Sequence, residues 1–424
     1  MSRIEIPSHE LNGEDDLDSL IQQIGDARIV LLGEASHGTA EFYQWRAAIT
    51  KRLIREKGFN AMAVEGEWAD SYRVNQFIKG PRQDSAAAVN VLKNYDRWPT
   101  WMWGNYEVAS LITWLNHYNQ GVPAAAKAGF YGLDVYCLWE SSQELMPYLQ
   151  PSNSQAIKAA KQLQQCFRPY SADATDYSYA VARASASCRN QTANLWEAIL
   201  QLTGEATAQN EASFVMQQNA LVALNAERYY RTSVSSYPES WNIRDRHMMQ
   251  TIKRLLEFHG PQSKLIIWEH NTHVGDARYT DMERQGMVNV GQLAREEYGA
   301  DNVFAVGFGT YEGTVIAADS WGSAIRTIPV PKAPTGTWEN MLHNIGGNRL
   351  LFSDELKGVE ALEREIGHRA IGVVYDPQNE RGNYVPSVLP GRYDAFIFID
   401  KTTALHPINI PVRNEPPDTY PSGY

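Results

Sequence analysis

Residues 27–38 read Ala27-Arg28-Ile29-Val30-Leu31-Leu32-Gly33-Glu34-Ala35-Ser36-His37-Gly38. A short apolar run with β-branched members, closed by a glycine, reads as a buried strand. Two ionisable residues, Glu34 and His37, follow its end. Over residues 39–57 the apolar positions Phe42, Trp45, Ile49, Leu53 and Ile54 fall on one helical face, and Gly58 is a natural stop. A second strand pattern, Ala61-Met62-Ala63-Val64, runs into Glu65, and residues 68–78 are again helical in spacing. This β-α-β-α order predicts a parallel sheet with helices on its faces.

Working outward, Gly129-Phe130-Tyr131-Gly132-Leu133-Asp134 reads as a third strand ending in an acid. From about 140 to 258 the pattern is helical, punctuated by Pro151, Pro169, Gly204 and Pro238. Strand patterning returns at 264–268, 302–307, 370–375 and 395–400. The expectation is an α/β core with a mostly parallel sheet, its chain split by a helical insertion lobe. Residues 1–139 form the first part of the core, 140–258 the lobe and 259–424 the second part. The tail after about 405 carries Pro407, Pro411, Pro416, Pro417 and Pro421, and is expected to lie extended over the surface.

Composition narrows the function classes. The 424 residues are 43% hydrophobic and 21% charged, which excludes a largely disordered chain. Lys and Arg number 38 against 49 Asp and Glu, a net charge of −11 with no basic run. Nucleic acid and anionic membranes are therefore not the expected partners. No apolar stretch reaches ~18 residues, and the N-terminus lacks a charged-then-apolar leader pattern. A soluble cytoplasmic protein acting on a small molecule is the default expectation. Cys137, Cys166 and Cys188 form no C-x-x-C pair and are expected to be buried free thiols. The aromatic segment with Trp98, Trp101 and Trp103 suggests an aromatic-lined cleft for a bulky substrate.

The chemistry lies in a positional pattern. Strand ends carry Glu34 and His37, Glu65, Asp134, and Glu269-His270-Asn271-Thr272-His273. If these strands are parallel neighbours, their carboxyl ends share the sheet edge where open α/β folds bind ligands. Arg46 on the first helix would add a fixed positive charge. Asp276 and Arg278 read as a loop ion pair. Asp245, between Arg244 and Arg246, suggests a structural ion-pair network.

The segment Glu34-Ala35-Ser36-His37-Gly38 misses the G-x-S-x-G nucleophile pattern, and Ser36 lies directly beside His37, where it cannot easily share a proton with it. Water is thus the expected attacking group, with a histidine as general base and a carboxylate on its other ring nitrogen. Glu34 or Glu65 can supply that carboxylate. His270, His273 or Arg46 could stabilise an oxyanion or protonate a leaving group. Asp134, Glu269, Trp101 and Trp103 are candidate substrate contacts.

Together, Gly33–Gly38, Val64-Glu65-Gly66, Gly132-Leu133-Asp134, Asn242–Met248 and Trp268–Arg278 resemble the erythromycin esterase family. The resemblance spans most of the chain. It implies a three-layer α/β core with a cleft and a helical lobe, and hydrolysis of a macrolide lactone such as that of erythromycin, which confers antibiotic resistance. It implies a general-base histidine at His37, partner carboxylates at Glu34 and Glu65, an arginine at Arg46, and further histidines at His270 and His273. No cofactor or metal is expected. The alternatives are a metal- or haem-binding protein using the cleft histidines, or a metallohydrolase with His37, His270, His273 and Glu65 as ligands. No H-E-x-x-H segment accompanies them.

Overall fold

The computed structural model describes residues 5–410, apart from 171–173, 185–186 and 205–209. Its strands are β1 (His9–Glu10), β2 (Ile29–Leu32), β3 (Ala61–Glu67), β4 (Gly129–Asp134), β5 (Leu265–Trp268), β6 (Val303–Ala318), β7 (Ile325–Val330), β8 (Arg349–Phe352), β9 (Ile366–Arg369), β10 (Tyr384–Ser387) and β11 (Ala395–Thr402). Nine of them form one sheet in the order β1-β8-β11-β6-β2-β5-β3-β4, with β7 paired to β6. From β11 through to β4 all neighbours are parallel. The antiparallel pair β9–β10 stands apart.

The sheet is buried on both faces, as its near-continuous apolar strands require. Val30, Leu32, Met62, Val64, Ile266 and Trp268 pack with Phe42, Ile49 and Leu53 of the helix Ala40–Lys57 on one side. Ile29, Leu31, Ala61, Ala63, Leu265 and Ile267 pack with Met248, Ile252 and Leu255 of the helix Tyr237–His259 on the other. The period-two alternation of one set of strands thus feeds two cores, giving the expected three layers. Each fully buried Val, Leu or Ile contributes about 1.5–3 kcal/mol to that arrangement. The helix Ala40–Lys57 ends at Gly58, which takes the left-handed conformation at φ 71°.

Among the described residues every element between β4 and β5 is a helix. Those helices carry a core of their own, with Leu163, Phe167, Tyr177, Leu195 and Ile199 among its members. Cys166 and Cys188 are joined by a disulfide there, and only Cys137 is a buried free thiol. This corrects the expectation of three free thiols: two helices of the lobe bring together cysteines 22 residues apart, a pairing that no local motif announces.

Register sets the site. Leu32 pairs across to Trp268 and Val306, while Val64 pairs to Trp268 and Gly132. The carboxyl ends of β2, β3, β4 and β5 therefore lie in one row, level with Val306 of β6, which runs on to Ala318. The chain fills β2, β3 and β4 outward on one side, then returns to insert β5 between β2 and β3 and continues to β6 beyond β2. This reversal of direction is where doubly wound sheets open a crevice.

Two expectations about the second half change. Residues 370–375 form no strand of the sheet. They make isolated bridges, Ile371 to Ser36 and Val374 to Ala318. The tail from Leu405 to Ile410 is not loosely draped, since Leu405, Ile408 and Ile410 are buried. Pro411, Pro416, Pro417 and Pro421 lie outside the described residues.

Candidate active site

The loop after β2 is pinned on every side. Gly33 N–H donates to Val306 O (2.8 Å), Ile371 N–H to Ala35 O (2.8 Å), and both Ile316 N–H and Leu405 N–H to Gly38 O (2.9 Å each). A Cβ on Gly38 would sit 1.9 Å from Ile316 O, so only glycine fits there. The Tyr43 hydroxyl, one turn into the next helix, bonds His37 O at 3.0 Å. Segments 370–375 and 403–410 thus serve as clamps on the loop that carries His37.

His37 is 3% exposed, and its Nδ1 lies 2.8 Å from Glu34 Oε1. The second Glu34 oxygen takes the Arg46 guanidinium. Arg46 is itself sandwiched between the rings of Tyr43 and Trp268, 4.4 and 4.5 Å from their centroids. With the Nδ1 proton held by Glu34, the Nε2 lone pair of His37 is left as the basic position. The His270 ring lies 4.9 Å from that of His37. Burial and the neighbouring His37 push His270 well below the usual histidine range, so it stays neutral. Its backbone N–H donates to Glu65 Oε2 (2.8 Å), and its Nδ1 meets the Thr272 hydroxyl (2.9 Å).

A second set of buried charges follows in alternating sign. Both Asp245 oxygens lie on His273 Nδ1, at 2.9 and 3.1 Å. His273 Nε2 is 3.4 Å from Glu65 Oε1. Arg244 Nη2 contacts both Glu65 Oε1 and Asp134 Oδ2 at 2.7 Å, and Nε bonds Asp134 Oδ1 at 2.9 Å. Burial alone would raise the Glu65 carboxyl, but His273 and Arg244 outweigh it and hold the group well below its ordinary range. Burial alone would discharge His273, yet Asp245 and Glu65 push it up to about 10. The 3.0 Å approach of Arg244 Nη1 to His273 Nε2 is then a contact between two cations, tolerated because carboxylates flank both. Trp241 stacks face-on against His273, with centroids 4.6 Å apart.

Some of these groups border a cavity that is partly open to solvent. His37, Glu65, Asp134 and Arg244 line it together with Trp98, Trp103, Tyr136 and Trp321. Trp103 is held by its indole N–H on Glu65 O (2.9 Å) and lies against Gly66, which has no room for a side chain. Glu34, Arg46, Trp101, Glu269, His270 and His273 are close to fully buried and are not among the lining residues. Trp101 packs edge-on to Trp98. Neither Glu269 oxygen has a hydrogen-bond partner among the described residues, and burial pushes this acid well above its ordinary range, into the neutral form.

Other sequence candidates have plain structural places. The Ser36 hydroxyl pairs with that of Thr39, and Asp276 bonds Arg278 at 2.6 Å. Asp245 does not bridge its neighbouring arginines; it serves His273, and Arg244 joins the cavity wall. The i, i+3, i+4 spacing of Trp241, Arg244 and Asp245 on one helix is the signal that could have placed them on one face. Among the described residues no group of three or more His, Cys, Asp or Glu is arranged to hold a metal ion. The Nδ1 of His37, His270 and His273 is in each case already engaged by a protein oxygen.

Residues 54–402 match the erythromycin esterase family. The chain belongs to that family. The match begins after Arg46, so the loop with Glu34 and His37 lies outside it. Among curated relatives, erythromycin esterase type II of Escherichia coli is 31% identical over 128 residues. That stretch is 30% of this chain and spans only 28% of the relative's length. Solved structures share the fold of this family member over nearly its whole length. A succinoglycan biosynthesis protein superposes with a TM-score of 0.71 at 20% identity, covering 94% of this chain and 95% of its own. A Bacillus cereus protein gives 0.74 at 18% identity, covering 95% and 97%. A mutant of the erythromycin esterase EreC in its open conformation gives 0.65 at 16% identity, covering 92% and 95%. No helix among the described residues is long and apolar enough to cross a membrane.

Proposed function

We propose that this protein is a carboxylic ester hydrolase that opens a lactone or ester by water attack, with His37 as the general base and a macrolide such as erythromycin as the substrate class. The observation that carries the reading is the buried Arg46–Glu34–His37 chain ending at the cavity wall. Glu34 fixes the ring so that Nε2 is the basic nitrogen, and Arg46 holds the other Glu34 oxygen in place.

In the reaction, water attacks the ester carbonyl carbon while His37 Nε2 takes one of its protons. A tetrahedral oxyanion forms. Its collapse breaks the acyl C–O bond, and the alkoxide recovers the proton from His37. The products are a carboxylic acid and an alcohol, a net gain of one water. His273 acts on this step through Glu65 and Arg244, and the backbone N–H of His270 holds Glu65 in place. The reaction as written uses no metal and no enzyme nucleophile; the Ser36 hydroxyl is paired with that of Thr39.

The test is mass spectrometry of a panel of macrolides and simple aryl esters incubated with chelator-treated protein. A gain of one water that disappears in His37→Asn is the expected result. Gain only after a divalent ion is added would reassign the histidines as ligands. No gain with any ester would remove the reading.

A further inference from the structure

The hydrolase reading leaves the charge on the tetrahedral intermediate without a partner. Arg46, His270 and His273, the cations and donors that the sequence offers for it, are buried and do not line the cavity. Arg244 does line it. Its guanidinium has five N–H groups. The Nε proton and the two on Nη2 are engaged by Asp134 and Glu65. Nη1 has no carboxylate on it. Its one contact is His273 Nε2 at 3.0 Å, which leaves at least one Nη1 proton without an acceptor among the described residues.

The group is also held still. Asp134 grips it through two parallel bonds, Glu65 through a third, and the Tyr136 ring lies 5.0 Å from the guanidinium carbon. Its helix is fixed to the site by Asp245 and Trp241 on His273. A fixed donor, one acceptor short, on a side chain that lines the cavity strengthens when an oxygen nearby becomes an anion. From this geometry we infer that Arg244 is a catalytic residue whose Nη1 edge stabilises the oxyanion formed when water adds to the ester carbonyl.

Glu65 and Asp134 neutralise the guanidinium in the resting site. That balance disfavours permanent capture of an anionic product and leaves a directional hydrogen bond for a charge that exists only in the transition state. The inference rests on the ester-hydrolase reading for its chemistry, but the contact can be tested without turnover.

The probe is an alkyl phosphonate monoester, a stable tetrahedral anion. In the unmodified protein, with ¹⁵N-labelled arginine, its binding should shift the Arg244 side-chain resonance, identified by its loss in Arg244→Lys. Arg244→Lys keeps a charge beside Glu65 and Asp134, which Arg244→Gln would leave unpaired and at risk of unfolding. In the Lys variant, kcat on an aryl ester should fall about 10²–10³-fold with little change in KM. Phosphonate affinity should fall by a similar factor. A bound phosphonate that leaves the Arg244 resonance unmoved, or an affinity unchanged in Arg244→Lys, overturns the assignment. Should no ester turn over at all, the hydrolase reading falls, and the resonance shift alone decides whether Arg244 meets the anion.

Discussion

Glu34 accepts the His37 Nδ1 hydrogen bond at 2.8 Å, and both side chains are withdrawn from solvent. The same carboxylate is the counter-ion of the buried Arg46. One group therefore sets the tautomer of the base and neutralises the cation behind it. Glu34→Gln keeps the shape and removes the charge. Its kcat should fall about 10²–10⁴-fold, as expected when the orienting acid of a catalytic histidine becomes an amide. Leaving Arg46 as an uncompensated buried cation should also cost about 3–5 kcal/mol of stability. Steady-state kinetics and a denaturant titration read the two effects. Near-normal turnover in this variant would remove Glu34 from the mechanism.

Backbone packing behind His37 predicts a second loss. Gly38→Ala would drive a methyl group onto Ile316 O, at the point where Ile316 and Leu405 both bond Gly38 O. Overpacking of this kind costs about 1–3 kcal/mol, and here it displaces the residue next to His37. Melting temperature and activity should both drop. Gly13→Ala, with nothing within 4 Å of the new carbon, should change neither.

Stability should depend on pH through named histidines. Burial pushes His247 and His259 down to about 4. Their folded values lie below the unfolded value of about 6.5. Their contribution is therefore complete above pH 6.5 and is lost as pH falls towards 4. His273 runs the other way. Held up to about 10, it contributes fully below pH 6.5 and loses that contribution as pH rises through 10. Urea midpoints measured across the range should peak between these windows. A profile flat from pH 6.5 to 4 would contradict the burial of His247 and His259.

The lobe's disulfide closes a short loop, with Cys166 and Cys188 separated by 22 residues. Loop-closure entropy puts its contribution at about 3 kcal/mol. Reductant should lower the melting temperature, with Cys166→Ser matching the reduced protein. Protein purified without reductant and then denatured should show one reactive thiol, Cys137. Three thiols would mean that the bond does not form, as in a reducing compartment.

What the sequence discloses and what it hides follow from the range of the interactions. The core strands are short apolar runs that end in ionisable residues, so both the parallel sheet and the convergence of Glu34, His37, Glu65 and Asp134 are local signals. The partners of His273 are not local. Asp245 and Trp241 lie in a helix interior, 28 and 32 residues upstream by sequence numbering, and nothing in that spacing says which strand end the helix crosses. Arg244 reaches Asp134 across 110 residues. β7 is largely exposed and offers no buried run, and β8 offers only the three buried residues Leu350, Leu351 and Phe352. The run 370–375 has strand-like composition, but it is used as a clamp on Ala35 and Ala318.

The most direct test of the account is chemical rescue of His37→Ala. If His37 Nε2 is the base that takes the proton from water, the variant should fold, lose turnover, and regain part of it as imidazole is added to the buffer. The rescued rate should rise with the concentration of neutral imidazole. A His37→Ala protein that hydrolyses ester close to the unmodified rate, with no response to imidazole, would contradict the central claim.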